Sequence, residues 1–580
     1  MKNNIGLLFI LCYFFVSIAK TFSQNAPVKY LTNQTVTYDE CISFYKQLDE
    51  NFTNAKLITG GLTDIGKPLH LFVISNDGDF NPASIKNKNK RIVFILNGIH
   101  PGEPDGIDAS MKFSYDFLHD KSKAALLNHV VVCIIPIYNI DGALNRSCCS
   151  RANQNGPEEY GFRGNTRNLD LNRDFIKCDS ENAKSFTQLF RQWDPDVFID
   201  THVSDGADYP YTMTLISTQH NKLNPVLGEY LKKEMTPSLF KLMKEKNDEM
   251  ITYVNSFDYD DTPEKGIAGF LEIPRFSSGY AALFNTIGLV AEAHMFKPFA
   301  QRVQSTYNLL QSVIEFTSEN YLKIAALRME AKADCKSKST FDLQWKLDTT
   351  KYELINFKGY EAKHKPSNVT GLERMYYDRS SPFEKQIRFY DEYKSATTIE
   401  KPKAYIIPQA WKEAIELLAL NKIEMNRIPN DTSIEVEAYY IENFSSPREP
   451  YEGHYLHNKA EVRKEKQRIN FYKGDVIINT NQESNRYIVE TLEPQGVDSY
   501  FAWGFFDSML QQKEWFSSYV FEEKTEELLK NNPALKVEFE QKQKTDSSFT
   551  NNSFKQLSFI YAHSPYFEKT YKRYPVYRID

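Results

Sequence analysis

The chain has 580 residues, of which 41% are hydrophobic, 25% charged and 14% aromatic. These fractions belong to folded globular protein and exclude wholesale disorder, a collagen-like repeat and a multi-span membrane protein. A formal net charge of -6 carries no basic excess, so no nucleic-acid partner is expected.

Met1-Lys2 opens a short basic region, and Ile5–Ala19 follows as a near-continuous apolar run. The run is short for a membrane span and has the length of a secretory apolar region. Thr21 and Ser23 are small residues placed for a cut before Gln24. Residues 1–23 are therefore expected to be a signal peptide, and the mature product to be secreted or periplasmic. No later run is long and apolar enough to cross a bilayer, so no stable membrane insertion is expected after cleavage. Seven cysteines, with Cys12 inside the leader, are too few for a disulfide scaffold in so long a chain.

Between Tyr30 and about Glu330, short Val-, Ile- and Phe-rich runs alternate with amphipathic stretches. Strands are expected at Leu69–Ile74, Ile92–Leu96, Val130–Ile137, Val197–Asp200 and Ile287–Ala291. Helices are expected at Gly106–Leu118, Asn182–Trp193, Leu223 to about Met243, and Pro298 to about Ala331. The alternation predicts an α/β fold with a mixed, largely parallel central sheet flanked by helices. The polar stretch Glu330–Thr340 marks a boundary, giving one domain over 24–330 and another over 341–580. The second is expected to be β-rich, with strands at Ile434–Tyr440, Val476–Thr480 and Arg486–Val489 and a helix at Ala410–Leu420. The aromatic cluster Tyr500–Phe506 reads first as its core, and otherwise as a surface for stacking on sugars.

The chemistry begins at Asn97-Gly98-Ile99-His100-Pro101-Gly102-Glu103, directly after the strand Ile92–Leu96. An imidazole and a carboxylate three residues apart on a Gly/Pro-rich loop can chelate one metal ion. A third donor is expected at another strand end, where α/β folds collect their sites. His202, at the end of Val197-Phe198-Ile199-Asp200-Thr201-His202, supplies it. Two histidines and a glutamate match a catalytic zinc site that keeps its fourth position for water. Such a site needs a proton acceptor, and Glu292 near the end of the apolar run Ile287–Ala291 is the candidate; a structural pairing with Lys297 is the alternative. Asn172 and Arg173 stand side by side and can grip a carboxylate, which points to a substrate with a free acid terminus.

The ordered set His100-x-x-Glu103, Asp170-x-Asn172-Arg173, His202 and Glu292 resembles the zinc metallocarboxypeptidase family of carboxypeptidases A and B, over roughly Tyr38 to Lys323. The chain would be a secreted, bacterial-type member with an extra C-terminal module. The resemblance implies one Zn2+ per chain held by His100, Glu103 and His202, and Glu292 as general base. It implies that Asn172 and Arg173 bind the C-terminal carboxylate of a peptide or protein substrate, and that Asp170 fixes the ring of His100. It also implies an arginine that polarises the scissile carbonyl, for which Arg151 fits best and Arg163 second. A tyrosine that caps the substrate terminus is assigned to Tyr280, although it lies closer to Glu292 than the pancreatic pattern places it. The segment Cys148–Gly164, with its adjacent cysteines, also departs from that pattern. Two other readings remain: a zinc amidase acting on cell-wall peptides or N-acyl amino acids, and a catalytically inactive secreted binding module.

Overall fold

A computed structural model of the chain describes residues 27–257 and 262–580; the expected signal peptide lies outside the described residues. Runs such as Ile92–Leu96 are apolar at every position because both faces of their sheet are covered. Among the described residues of the first half nine strands lie: β1 (Ala55–Leu62), β2 (Pro68–Ile74), β3 (Arg91–Leu96), β4 (Val130–Ile135), β5 (Val197–Ser204), β6 (Met213–Ser217), β7 (Ile251–Thr252), β8 (Ile267–Ala268) and β9 (Ile287–His294). All but β8 join one sheet in the order β1-β2-β4-β3-β5-β9-β6-β7. Its centre, β4-β3-β5-β9, is parallel, whereas β1, β2 and β6 pair antiparallel with their neighbours toward that centre.

Alternation along the central strands divides the core in two. Val93 and Ile95 face the layer that holds Phe113, Phe117, Val303 and Leu310. Ile92, Phe94 and Leu96 face Phe186, Phe190, Phe198 and Tyr280. Helices Asp105–His119 and Phe299–Glu319 cover the first face; Glu181–Trp193 and Ser277–Ala282 cover the second. The helix after β3 starts hard against β5: a Cβ on Gly106 would lie 2.0 Å from Thr201 Oγ1, so glycine is required there.

The second face continues into the C-terminal half. The same core includes Tyr405, Ile407, Leu418, Tyr487, Tyr500, Phe501 and Trp503. The Tyr500–Phe506 cluster is thus core, with Tyr500, Phe501, Trp503 and Phe506 fully buried. Helix Tyr321–Ser337 runs through the polar boundary stretch, and Thr340–Leu347 follows as a strand. Beyond it stand the long hairpin Glu353–Pro366/Glu373–Tyr390, whose end pairs with β8, and a six-stranded sheet. One expectation fails in this half. Arg486–Val489 belongs to a helix, Asn485–Leu492, whose residues are all buried, so an apolar alternation over four residues was not a strand. The half is β-rich as expected, and residues 518–562 add the helices Ser518–Asn531, Pro533–Thr545, Ser547–Thr550 and Ser553–Ala562.

A second correction concerns Tyr280, assigned to the substrate terminus. It is fully buried on helix Ser277–Ala282, with its ring among Phe175, Phe186, Phe190 and Phe284. Its hydroxyl donates to Asn421 Oδ1 at 2.7 Å, and Asn421 donates in turn to Tyr487. Tyr280 is therefore a joint between the halves and not a cleft residue. Tyr280→Phe should cost about 1–3 kcal/mol of stability, the price of a buried acceptor left without its donor. Thermal unfolding should register the loss, while KM for any substrate stays unchanged.

Candidate active site

The three central strands β3, β5 and β9 run parallel, so their carboxyl ends open on one edge of the sheet. The chain leaves β3 through Gly98, whose φ of +66° turns the loop that carries His100 and Glu103. His202 lies near the end of β5 and pairs in register with Glu292 of β9, which sets the two side chains on the same face of neighbouring strands. His100, Glu103 and His202 are all buried, and one ligand atom from each lies within 4.8 Å of the others.

The orientation of both rings suits a cation. His100 Nδ1 lies 3.3 Å and His202 Nδ1 3.0 Å from the Glu103 carboxylate. The opposite nitrogens are held from behind: His100 Nε2 by Asp170 at 2.9 Å and His202 Nε2 by Asp200 at 2.8 Å. Two imidazole nitrogens and a carboxylate converging on one point, with each distal nitrogen on a carboxylate, is a donor set that fits zinc. Asp170 is the partner that the resemblance names for His100. Asp200 was missed, although the sequence carries its signal: it lies two residues before His202 on a strand, hence on the same face. Ser277 Oγ donates to it.

Burying these charges moves their proton affinities. Burial alone would raise the Glu103 carboxyl, but His100 and Arg151 beside it hold it well below the usual carboxylate range. Burial likewise would lower His202, yet Asp200 and Glu103 raise it well above an ordinary imidazole. Glu292 moves the other way. Burial pushes it up to about 8; the nearby His202 draws it down, but Glu103 and Asp200 add to the rise.

A cleft of about 460 Å³ opens over this edge, lined by His100, Glu103, Arg151, Arg163, Asn172, Arg173 and Glu292 among others. Arg151 Nη1 donates to Glu103 Oε1 at 2.8 Å and its Nε to Gln154. Arg163 directs Nε and Nη2 to Asp170 Oδ2 at 3.0 and 2.8 Å, so it braces the carboxylate that holds His100. Asn172 Oδ1 accepts from the Ser277 amide, and the Arg173 guanidinium lies 4.5 Å over the Phe276 ring. Lys297, the alternative partner for Glu292, instead donates to the Tyr209 carbonyl. The Cys148–Gly164 segment forms part of the rim: Ser150–Asn153 line the cleft, and the exposed Cys148 and Cys149 are bonded to each other.

The tyrosine that lines the cleft is Tyr253, not Tyr280. It lines the cleft with Ile216, Phe270 and Phe276, and no motif around it marked it in the sequence. Tyr253, Ile216 and Phe270 also border a second recess of about 400 Å³.

Residues 41–218 match the family described as zinc carboxypeptidase. The chain is 22% identical over 449 residues to carboxypeptidase 2 of Trichophyton rubrum, covering 73% of this chain and 75% of that protein. It is 20% identical over 453 residues to carboxypeptidase 2 of Trichophyton tonsurans, covering 72% and 74%. Among solved structures it is similar to a metallo-carboxypeptidase from Burkholderia cenocepacia, at 16% identity and a TM-score of 0.35 over 48% of this chain and 68% of that one. Bovine thrombin-activatable fibrinolysis inhibitor is similar at 13% identity and a TM-score of 0.36, over 51% and 99%. By the family match and the curated relatives, the chain carries a zinc carboxypeptidase domain and is a hydrolase of the metallocarboxypeptidase type.

Proposed function

We propose that the chain is an exported carboxypeptidase that removes single residues from the C-termini of peptides, with one zinc ion held by His100, Glu103 and His202. The observation that carries this reading is convergence. His100, Glu103, the Glu292 carboxylate and the Asn172–Arg173 pair line one cleft, and His202, in register with Glu292, brings a ligand atom within 4.8 Å of those of His100 and Glu103. The apolar run Ile5–Ala19 supports export.

Zinc in such a site supplies a Lewis acid that acidifies a water and polarises the scissile carbonyl. The remaining work falls to side chains. Arg173 and Asn172 hold the terminal carboxylate and so place the last peptide bond in the cleft. Glu292 takes a proton from the attacking water and hands it to the departing amine. Burial raises the proton affinity of this carboxyl, which suits a group that takes up a proton and then gives it back. Arg151 donates to the negative charge that develops on the carbonyl oxygen. Arg163, committed to Asp170, acts instead through the ring of His100.

Incubating the mature chain with a mixed peptide library, with and without a chelator, tests the reading by mass spectrometry. Chelator-sensitive loss of single terminal residues is expected, and zinc-loaded protein that trims nothing would overturn it. Glu292→Gln should lower kcat by about 10²–10⁴-fold with zinc content unchanged. His202→Asn should lose the metal, read by elemental analysis. In the parent chain zinc affinity should weaken as pH falls, since the raised His202 affinity for protons competes with the metal. The two arginines should separate cleanly. Arg151→Met should lower kcat by about 10²–10³-fold with KM held, whereas Arg163→Met should weaken zinc binding first.

A further inference from the structure

The C-terminal half reaches the segment that carries Asp170, Asn172 and Arg173 through the turn Tyr451–His454, and the proposed function gives that contact no role. Tyr451-Glu452-Gly453-His454 is a tight turn in which the Tyr451 and His454 amides and carbonyls pair at 2.7 and 3.0 Å. Glu452 and Gly453 both take positive φ, 50° and 83°, which is the geometry of a two-residue hairpin turn. The turn is seated on the segment 169–179, the stretch that carries Asp170, Asn172 and Arg173. Tyr451 Oη accepts from Arg173 Nε at 3.0 Å, and Glu452 Oε2 accepts from the Asp170 amide at 2.8 Å. His454 Nε2 lies 2.8 Å from Asp179 Oδ2. Its own footing is firm: the Tyr451 ring stacks parallel to the buried Trp503 at 6.3 Å, and the Arg275 guanidinium lies over both rings.

We propose that this turn is part of the substrate clamp, with Tyr451 as the positioning residue for Arg173. The proposal rests on the reading that Arg173 binds the substrate carboxylate. A guanidinium grips a carboxylate through two parallel N–H bonds only if its plane is fixed. Three contacts fix it. Nε is taken by Tyr451, Nη1 donates to the Asn172 carbonyl at 2.9 Å, and the plane lies against Phe276. Phe276 and the Asn172 carbonyl come from the first half, near in sequence to the clamp or packed beside it. Tyr451 comes from 278 residues further along the chain. The C-terminal half thereby sets how the substrate terminus is held, although it supplies no group to the bond that breaks.

The test is Tyr451→Phe in the full chain, which keeps the ring on Trp503 and removes only the hydroxyl. The substrates are free-acid acyl peptides carrying each terminal residue in turn, with KM and kcat measured on the member cleaved best. Tyr451→Phe should raise KM about five-fold and leave kcat and zinc content unchanged, as expected for loss of a hydrogen bond to a charged group used in binding. In an Arg173→Lys background the same substitution should have no further effect, because lysine has no Nε–H to hold. An unchanged KM would overturn the role of Tyr451 while leaving the carboxypeptidase reading intact. An effect of equal size in the lysine background, or a fall in kcat together with Tm, would reduce the contact to packing and overturn it as well. Parent protein that cleaves none of the free-acid peptides would overturn the functional reading and this proposal with it.

Discussion

The cost of burying charge governs the whole site. Glu103 is 3% exposed and His202 6%, and neither could be held there without partners. Each of the buried charges is answered by another: Glu103 by Arg151 and both rings, His100 by Asp170, His202 by Asp200, Asp170 by Arg163. In such an array the removal of one member strands its neighbour, so the loops that deliver the members are as constrained as the strands. That is why Arg151 and Arg163, from the irregular segment after β4, sit in fixed contacts rather than on a free rim.

The same demand operates at the joint between the halves. The face of the sheet that holds Phe186 and Phe190 is closed by Tyr487, Tyr500 and Trp503. Inside that apolar layer a polar chain runs from Tyr280 through Asn421 and Tyr487 to Tyr500, with each hydroxyl or amide satisfied by the next. A continuous core with internal hydrogen bonds makes the halves mechanically one body around the cleft. The turn at Tyr451–His454 acts on Arg173 from such a base; a loosely tethered module could not hold a guanidinium plane.

Much of the first half was legible because its strands are short, apolar and bounded, and because donors cluster where such strands end. The expected strands lie within or over β2, β3, β4, β5 and β9; the helix after β3 differs from expectation by a residue at each end, and the one before β5 by a residue at its start. The C-terminal half was less legible. Over four residues, Arg486–Val489 offers no period that separates a strand from a helix buried on all sides. The helices of 518–562 have weak apolar stripes and pack mostly on one another, so their pattern did not stand out from the alternation around them.

What the sequence determined by itself was the candidate donor set and the carboxylate beside it. His100, Glu103, His202 and Glu292 are marked by residue type, spacing and position at strand ends, and parallel strands must bring those ends to one edge. What only the tertiary structure decided was which group answers which. Arg163 on Asp170, Tyr253 in the cleft lining in place of Tyr280, and Tyr451 on Arg173 from 278 residues away are set by how the loops and the two halves pack. They depend on the desolvation of particular atoms at particular distances, and a local run of residue types carries no record of what will be packed against it.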